Sequence, residues 1–379
     1  MKGKATNTIC FVIPYYVTFA TGGAEIQVHY LVNEFLRRGW QVELICGGRG
    51  QEDTIAESPY FDTRIRFHYY RFRKFRSLEF FGVMACLLRT RSKVYYQRTD
   101  FALSAACAFY CRLLKKVMIY ALAQDTDALR GKYRSLMQQF TYRSHLKKCM
   151  RRIDFGMVDA MVNYAKQQAN LLVCQNKEQE ALLRTHFRRP AHIIQNSYPI
   201  NKQEQALDKE KLVLWVGNMR AAKRPDLFLW LVDALQTRKG WHFVMIGAQG
   251  DDYAHLQHPS VEIMGPQPYE TVNSLFAKAQ FYVNTSELEG MPNTFIQSWM
   301  NKVLVLSLKV NPNGVFDHDR LGLCFKDDIQ GMAAKLDEYL NGNNSSEICE
   351  RAYAYAHQTF DVRRNVDKLT ELIKPLLCE

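Results

Sequence analysis

The chain has 379 residues, of which 47% are hydrophobic and 23% are charged, and its formal net charge is +12. This length predicts two domains that each bury a core, and no apolar run reaches the ~20 residues that a bilayer-spanning helix needs. Residues 1–198 hold 31 Lys and Arg against 15 Asp and Glu, whereas residues 199–379 hold 19 against 23. The positive half predicts an anionic partner, for which nucleic acid, lipid headgroups and pyrophosphate-bearing substrates are the candidates.

Three motifs that the sequence lacks narrow the cellular compartment and the kind of partner. The ten cysteines are scattered without paired CxxC spacing, which predicts small buried side chains in a reducing cytosol. The N-terminal stretch MKGKATNTIC lacks the apolar core of a signal peptide. No RRM, KH, zinc or helix-turn-helix signature accompanies the positive charge, so we do not expect nucleic-acid binding.

The first half of the chain alternates buried-type strands with helices. Residues 9–16 (ICFVIPYY) predict a strand, and a helix follows the turn at Gly22 and Gly23. Further strands are predicted at 40–46, 65–72, 94–98, 117–123, 171–175 and 191–195. A glycine turn after the first strand lies at the ligand edge of a doubly wound sheet, but it is not a GxGxxG and no dinucleotide cofactor is expected.

An acidic loop, Gln124 to Asp127, follows the strand at 117–123. Its position after a strand predicts the ligand edge, so Asp125 is a candidate catalytic residue. A helix-cap or turn residue is an equal alternative. Asp125 and Asp127 have Asp-x-Asp spacing, but their context favours no metal site, and none is predicted.

Residues 131–153 combine apolar positions at helical spacing with a strongly basic composition. A basic amphipathic helix lies readily on an anionic membrane surface. A helix that packs on its own domain and solvates its basic face has the same pattern. Both interpretations stay open.

A polar stretch without periodicity, residues 200–211, predicts a linker to a second doubly wound unit. Its first strand ends at Gly217 and continues into a loop that contains Lys223. Glycine allows the backbone to approach a ligand or a helix closely.

The most informative stretch is residues 285–301, TSELEGMPNTFIQSWMN, which links a strand to a helix. Pro292 followed by Asn293 and Thr294 is a favourable helix start, and an open helix N-terminus attracts anions. Glu289 would repel a phosphate and more plausibly faces hydroxyl groups. A phosphate site beside a hydroxyl-binding carboxylate predicts a nucleotide-sugar pocket, although any strand–turn–helix shares the outline.

The segment EGMPNTFIQ resembles the E-G-x-P-N-T-x-x-E signature of the family-4 retaining glycosyltransferases, with Gln297 in place of the second Glu. The turn GGAE, residues 22–25, is also similar to that family. The resemblance implies the GT-B fold, an α/β architecture of two Rossmann-like doubly wound domains facing across a cleft. It implies an acceptor-binding domain at 1–198, a nucleotide-sugar domain at 199–360, and a C-terminal helix at 361–379 returning to the first domain.

The resemblance also implies roles for single residues. Lys223 matches the family's phosphate-binding Lys, whereas Asn218 replaces an Arg, for which Arg220 is a substitute cation. No His occupies the acidic loop where relatives place one. The implied catalytic residues are Glu289, Lys223, Arg220 and Asp125. The implied donor and phosphate-binding residues are Gly22, Gly23, Gly217, Asn218, Gly290, Met291, Pro292, Asn293, Thr294 and Gln297.

Together these features predict a metal-independent, retaining glycosyltransferase of the hexosyl type that uses a UDP- or GDP-linked sugar as co-substrate and no cofactor. We expect a lipid-linked or saccharide acceptor in surface polysaccharide synthesis, with the protein in the cytoplasm or on the inner face of the cytoplasmic membrane. Two alternatives remain: a nucleotide-sugar epimerase and a non-catalytic binding or scaffold protein.

Overall fold

A computed structural model describes residues 7–19, 22–137, 144–200, 208–217, 221–235, 240–247, 258–342 and 344–377. The chain divides into two compact units, each built around one sheet. Unit 1 comprises Met1–Pro199 and Val362–Glu379, and unit 2 comprises Ile200–Asp361.

Unit 1 contains a seven-stranded sheet in the order β3-β2-β1-β4-β5-β6-β7, with every neighbouring pair parallel. Its strands are β1 Thr8–Val12, β2 Gln41–Gly47, β3 Ile65–Tyr70, β4 Val94–Arg98, β5 Val117–Ala121, β6 Leu171–Cys174 and β7 His192–Ile193. Its first seven helices are α1 Gly23–Arg37, α2 Glu52–Ala56, α3 Glu79–Leu87, α4 Leu103–Leu113, α5 Lys132–Met137, α6 His145–Gln168 and α7 Lys177–Phe187. Strands β4, β5 and β6 are buried along their whole length, as their continuous apolar sequences predict.

Unit 2 contains a six-stranded parallel sheet in the order β10-β9-β8-β11-β12-β13. Its strands are β8 Leu212–Val216, β9 His242–Ile246, β10 Val261–Met264, β11 Phe281–Asn284, β12 Leu304–Ser307 and β13 Leu323–Cys324. Its helices are α8 Pro225–Ala234, α9 Tyr269–Lys278, α10 Asn293–Met300, α11 Ile329–Leu340 and α12 Ser346–Thr359. Both units are therefore doubly wound α/β folds, as the alternating pattern predicts.

The last helix, α13 Val362–Leu376, belongs to unit 1 and packs on α1. The Val362 N–H donates to the Tyr198 carbonyl at 3.0 Å, and Arg38 Nη1 lies 2.6 Å from Asp367 Oδ1. Asn365 is buried and donates to the carbonyl of Asn196 at 3.3 Å. These bonds tie α13 to the end of the first chain segment.

The sequence prediction of one helix over 131–153 is wrong. Helix α5 ends at Met137, residues 138–143 lie outside the described part of the chain, and α6 begins at His145. Ser144 has an extended backbone (φ −125°, ψ 127°) and therefore interrupts the helical periodicity before α6. None of the helices within the described residues is both long and apolar enough to cross a membrane.

Candidate active site

The strand order of unit 2 reverses between β8 and β11, because the chain leaves β8 for one side of the sheet and β11 for the other. Ligands of doubly wound folds bind at the carboxyl ends of the strands at such a point. Lys223 lies in the loop after β8, and Glu289 lies in the loop after β11. The topology therefore brings together two residues that are 66 positions apart in the sequence.

Lys223 and Glu289 form an ion pair at this edge. Lys223 Nζ lies 2.7 Å from Glu289 Oε2, and their side chains are 22% and 18% exposed. Asn284, the last residue of β11, donates from Nδ2 to Glu289 Oε1 at 3.0 Å. Each oxygen of the Glu289 carboxylate thus has a hydrogen-bond donor, and these two bonds orient the carboxylate. The side chain is still partly accessible to solvent.

The two loops that carry this pair are joined by hydrogen bonds. The Thr285 hydroxyl donates to the Lys223 carbonyl at 2.6 Å, and the Glu287 N–H donates to the Ala222 carbonyl at 2.8 Å. Arg224 donates from Nε to the Thr285 carbonyl at 2.8 Å and has a left-handed backbone (φ +46°). The position of the ion pair is therefore set by the backbone as well as by its own charges.

Helix α10 begins directly after this loop. Met291 and Pro292 are buried, and the helix starts at Asn293 after Pro292 without a side-chain cap. Because the positive end of the helix dipole attracts anions, the first turn at Asn293 and Thr294 is suited to hold a phosphate near Lys223. The structure thus gathers the predicted residues Lys223, Glu289, Gly290, Met291, Pro292, Asn293 and Thr294 along one edge of unit 2.

Gln297 lies one turn into α10, and its side chain contacts helix α9. Its side chain is only 4% exposed, and its Nε2 donates to Asn273 Oδ1 on α9 at 2.6 Å. The bond to Asn273 uses one of the two Nε2 hydrogens and leaves Oε1 as the acceptor, so burial of the side chain, and not this bond, limits its contact with a ligand hydroxyl. Sequence reasoning did not identify Asn273, because nothing in α9 marks it as the partner of a residue in α10.

The remaining predicted residues of unit 2 are only partly accounted for. Gly217 follows β8, and a Cβ atom there would lie 2.9 Å from the Trp215 ring, so only glycine fits beside that indole. Asn218 and Arg220 lie outside the described residues, and their roles stay predictions.

The strand order of unit 1 reverses between β1 and β4. Gly22 precedes α1 and Gly23 is its first residue, so both predicted glycines lie at this edge. Glu25, on the first turn of α1, faces Arg98 at the end of β4, and burial raises the pKa of the Glu25 carboxyl against the opposing charge of Arg98. Arg98 is 6% exposed and donates from Nη2 to Asn196 Oδ1 at 3.0 Å.

Three buried polar atoms at the end of β4 have no hydrogen-bond partner among the described residues: Gln97 Oε1, Arg98 Nε and Thr99 Oγ1. Thr99 also has a positive φ of 77°, which is rare for a β-branched residue. Such strain and unmet hydrogen bonding mark a ligand-binding edge. Sequence reasoning missed Arg98 as a site residue, although an arginine that ends a buried strand is itself a signal.

Asp125, the acidic-loop candidate, contacts α7. Its Oδ1 accepts from Gln179 Nε2 at 2.8 Å and from the side chain of Asn176, the residue that caps α7, at 3.4 Å. This geometry accounts for Asp125 as a structural residue at a helix N-terminus and leaves its catalytic role an untested prediction. Asp127 instead accepts from Lys132 and from the backbone N–H of Ala123.

A buried charge network lies behind this loop. Lys166 is 0% exposed and donates from Nζ to Asp100 Oδ2 at 3.0 Å and also to the Asp127 carbonyl. Burial and the charge of Asp127 raise the pKa of Asp100, against the opposing effect of Lys166. These charges are paired inside unit 1, as buried charges must be. Within the described residues, no group of three His, Cys, Asp or Glu side chains converges on one point.

The family model described as "Glycosyl transferases group 1" matches residues 210–342. The match lies within unit 2, and that region is similar to the group 1 glycosyltransferases. The matched part includes Lys223, Asn284, Glu289 and the whole of α10. The predicted resemblance to a glycosyltransferase family is confirmed.

Solved structures of the GT-B type resemble the chain over nearly its whole length. The crystal structure of Anabaena Alr3699/HepE in complex with UDP and glucose has a TM-score of 0.69 and 14% identity, covering 97% of this chain and all of that one. Sucrose-phosphate synthase from Thermosynechococcus elongatus has a TM-score of 0.68 and 13% identity, covering 98% of this chain and 99% of that one. At such identities the likeness shows the fold, and the predicted fold class is confirmed.

A curated relative is 29% identical over 154 residues. It is the GalNAc-alpha-(1->4)-GalNAc-alpha-(1->3)-diNAcBac-PP-undecaprenol alpha-1,4-N-acetyl-D-galactosaminyltransferase of Campylobacter jejuni subsp. jejuni serotype O:2. The match covers 37% of this chain and 42% of the relative, so the chain spans less than half of the length of that protein.

Proposed function

We propose that this protein transfers a hexosyl residue from a nucleotide sugar to a lipid-linked or saccharide acceptor. The observation that carries the proposal is the Lys223–Glu289 pair, held by Asn284 beside the start of α10. A UDP-linked donor is favoured over a GDP-linked one because the similar HepE structure is a complex with UDP and glucose. The relative from Campylobacter jejuni is named for a pyrophosphate-linked undecaprenol acceptor, which supports a lipid-linked acceptor here.

The chemistry assigns a distinct task to each residue. Breaking the anomeric C–O bond develops negative charge on the departing diphosphate and positive charge on the sugar. The Lys223 ammonium and the first turn of α10 stabilise the departing phosphates because both are fixed before the reaction. Glu289, oriented by Asn284, accepts hydrogen bonds from hydroxyls of the donor sugar. Lys223 exchanges its contact with Glu289 for the phosphates when the donor binds.

Retention of configuration and independence of divalent metals are part of the same proposal. The signature around Glu289 supports both, because the family it resembles combines retention with protein cations at the diphosphate. The nucleotide sugar is a co-substrate, and no cofactor is required. The test is transfer from a panel of UDP- and GDP-sugars with and without EDTA, with the product's anomeric configuration read by NMR. Loss of turnover in EDTA, or an inverted product, would contradict this part of the proposal.

The basic helix α6 supports action at an anionic membrane on the cytoplasmic side, in surface polysaccharide synthesis. Four exposed apolar residues form one stripe at helical spacing: Leu146, Met150, Ile153 and Met157. Lys147 and Arg152 lie to either side of this stripe, and Lys148 lies on the opposite face of the helix. An apolar stripe with basic flanks suits the interface of an anionic bilayer. Sedimentation with anionic vesicles tests this, and unchanged binding after Lys147, Lys148 and Arg152 are replaced by Glu would contradict it.

A non-catalytic binding protein is the second candidate, and one observation favours it. Gln297 is neutral and bonds Asn273, so the donor has one strong acceptor fewer than the signature provides. The donor panel separates the two functions. Turnover with any donor and acceptor pair supports the transferase, whereas tight nucleotide-sugar binding without turnover supports the binding protein.

A further inference from the structure

Unit 1 has a small open pocket of about 70 Å³ where the segments after β2 and β3 meet α3. Four of its lining residues are arginines, namely Arg49, Arg71, Arg73 and Arg89. No acidic residue lines it. The pocket is therefore a strongly positive concave surface that begins at the carboxyl ends of β2 and β3, on the same edge of the sheet as Arg98, and shares no lining residue with the pocket around Arg98.

The four guanidinium groups are not neutralised by ion pairs. None of them makes a salt bridge within 4.0 Å in the described part of the chain, whereas Arg38 and Arg64 are each paired with an aspartate. Glu52 lies near Arg49, but its Oε2 accepts from the Gly50 N–H at 2.8 Å. All four arginines are exposed, so solvent screens their mutual repulsion, and together they create a positive potential that suits an anionic ligand.

A buried hydroxyl belongs to one of the lining residues. Tyr70 lines the pocket and is 1% exposed, and its hydroxyl has no hydrogen-bond partner among the described residues. The charged side chains that act on this hydroxyl are those of Glu79 and Arg76, which do not line the pocket, so the hydroxyl does not itself mark the phosphate site. Planar guanidinium groups bind phosphate oxygens in pairs, which makes a phosphate group the best chemical match.

The surroundings of the pocket distinguish a lipid phosphate from a free one. Leu78 lines the pocket and is 48% exposed, and Phe81 in the adjoining helix α3 and Leu88 directly after that helix are both 70% exposed. Large exposed apolar side chains beside a cationic site favour an interface over bulk water. A soluble phosphate ion would leave these apolar side chains in water, whereas the acyl chains next to a lipid headgroup would cover them.

We propose that this pocket binds the phosphate group of an anionic membrane lipid, with Leu78, Phe81 and Leu88 entering the boundary between headgroups and acyl chains. The arginines form charge-assisted hydrogen bonds to the phosphate oxygens. The proposal rests on the membrane-facing part of the proposed function and is independent of sugar transfer. The site gives unit 1 a recognition element for phosphate headgroups that the stripe on α6 lacks.

The test is sedimentation of the whole chain with phosphatidylcholine vesicles, with and without phosphatidylglycerol. The double variant Arg71→Gln, Arg89→Gln should lose roughly thirtyfold of its binding to the phosphatidylglycerol vesicles, from about 1 kcal/mol for each cation near an anionic surface. The matched control Arg364→Gln, Lys368→Gln removes two exposed positive charges from α13 and should bind like the wild type. Equal binding by the pocket variant and the control would overturn the proposal.

Two further arms separate the competing explanations. Phe81→Ser with Leu88→Ser should weaken vesicle binding and leave binding of inorganic phosphate unchanged. If inorganic phosphate binds the wild type through the arginines but the apolar variant binds vesicles normally, the ligand is free phosphate and the lipid assignment is overturned. Donor turnover with a soluble acceptor is measured in parallel, so a failed transferase and a failed pocket give different results.

Discussion

Both units place acidic side chains behind the loops at their strand ends, but the two sets are used differently. In unit 2, Glu289 is partly exposed and pairs with Lys223, which is itself solvent-accessible. In unit 1, Asp100 and Asp127 are almost wholly buried and pair with Lys132 and Lys166.

The difference shows that burial, more than residue type, decides what a charged pair does. An exposed pair adds little stability and exchanges partners readily, so it is available to a ligand. A buried pair cannot lose one member without leaving an unpaired charge, so it holds the fold in one arrangement. Unit 1 therefore uses its buried charges for structure, whereas the ion pair of unit 2 stays accessible to a ligand.

The largest expected effect comes from breaking the buried network. Lys166→Met removes the donor to Asp100 and to the Asp127 carbonyl, and we expect unit 1 to lose ~3–5 kcal/mol of stability. Urea unfolding measures this loss. The exposed control Lys368→Met should stay within about 0.5 kcal/mol of the wild type. A loss below about 1 kcal/mol for Lys166→Met would mean that the network is not structural.

The exposed pair should behave in the opposite way. Lys223→Ala should lower the transfer rate by ~10²–10³, as removal of one charge-stabilising donor does elsewhere, while stability changes by about 1 kcal/mol or less. Steady-state kinetics and thermal unfolding of the same preparation check both halves. Lys302→Ala is the matched control, since Lys302 pairs with Glu350 on the surface of the same unit. A variant that unfolds but keeps its rate would reverse the comparison.

Acid should act on unit 1 through Glu43. Although burial opposes it, hydrogen bonds from His68, Ser92 and the Arg91 N–H lower the pKa of Glu43 from 4.5 to about 2. A lowered carboxyl pKa stabilises the folded state above pH 4.5, and this stabilisation is lost as the pH falls toward 2. By this shift Glu43 contributes about 3 kcal/mol at neutral pH.

Unfolding of Glu43→Gln as a function of pH tests this contribution. The variant should be less stable than the wild type near pH 7, and the two should converge between pH 4.5 and 2, where Glu43 takes up its proton. The exposed control Glu347→Gln should follow the wild-type curve. Parallel curves for Glu43→Gln and the wild type would rule out this contribution.

The smallest effects separate the two loop carboxylates. Glu289→Gln removes a charged acceptor, and we expect about a 10- to 100-fold loss in kcat/KM, equivalent to ~1.5–3 kcal/mol. Asp125→Asn keeps an oxygen for Gln179, so we expect less than a threefold change in rate and at most about 1 kcal/mol in stability. If Asp125→Asn lowers the rate as much as Glu289→Gln does, Asp125 is catalytic.

The sequence was sufficient for features carried by contiguous residues. Apolar runs located β4, β5 and β6, because a strand buried on both faces has a continuous apolar sequence. The signature from Glu289 to Gln297 was visible because its residues lie in one turn and one helix. Periodicity failed at Ser144, where a single extended residue separates α6 from the residues before it.

Features that depend on two distant segments were not visible. Asn284 reads as the polar end of a strand until its side chain is seen to hold Glu289. Lys166 looked like one basic residue among many in a helical stretch, although it is the most buried charge in its network. The Gln297–Asn273 bond joins α10 to α9, two helices that are brought together by the sheet on which they pack. Such partners are decided by tertiary contacts that leave no local pattern.

The hydrogen bond between Val362 and Tyr198 has a consequence for engineering. It brings together the points where the chain leaves unit 1 and where it re-enters, at a backbone distance of 3.0 Å. Unit 2 is therefore an insertion within unit 1, and both cut sites needed to exchange it lie side by side. A short glycine-containing bridge between Tyr198 and Val362 should restore a continuous first unit, and the same two cuts define a cassette for exchanging unit 2 with the corresponding unit of a similar protein.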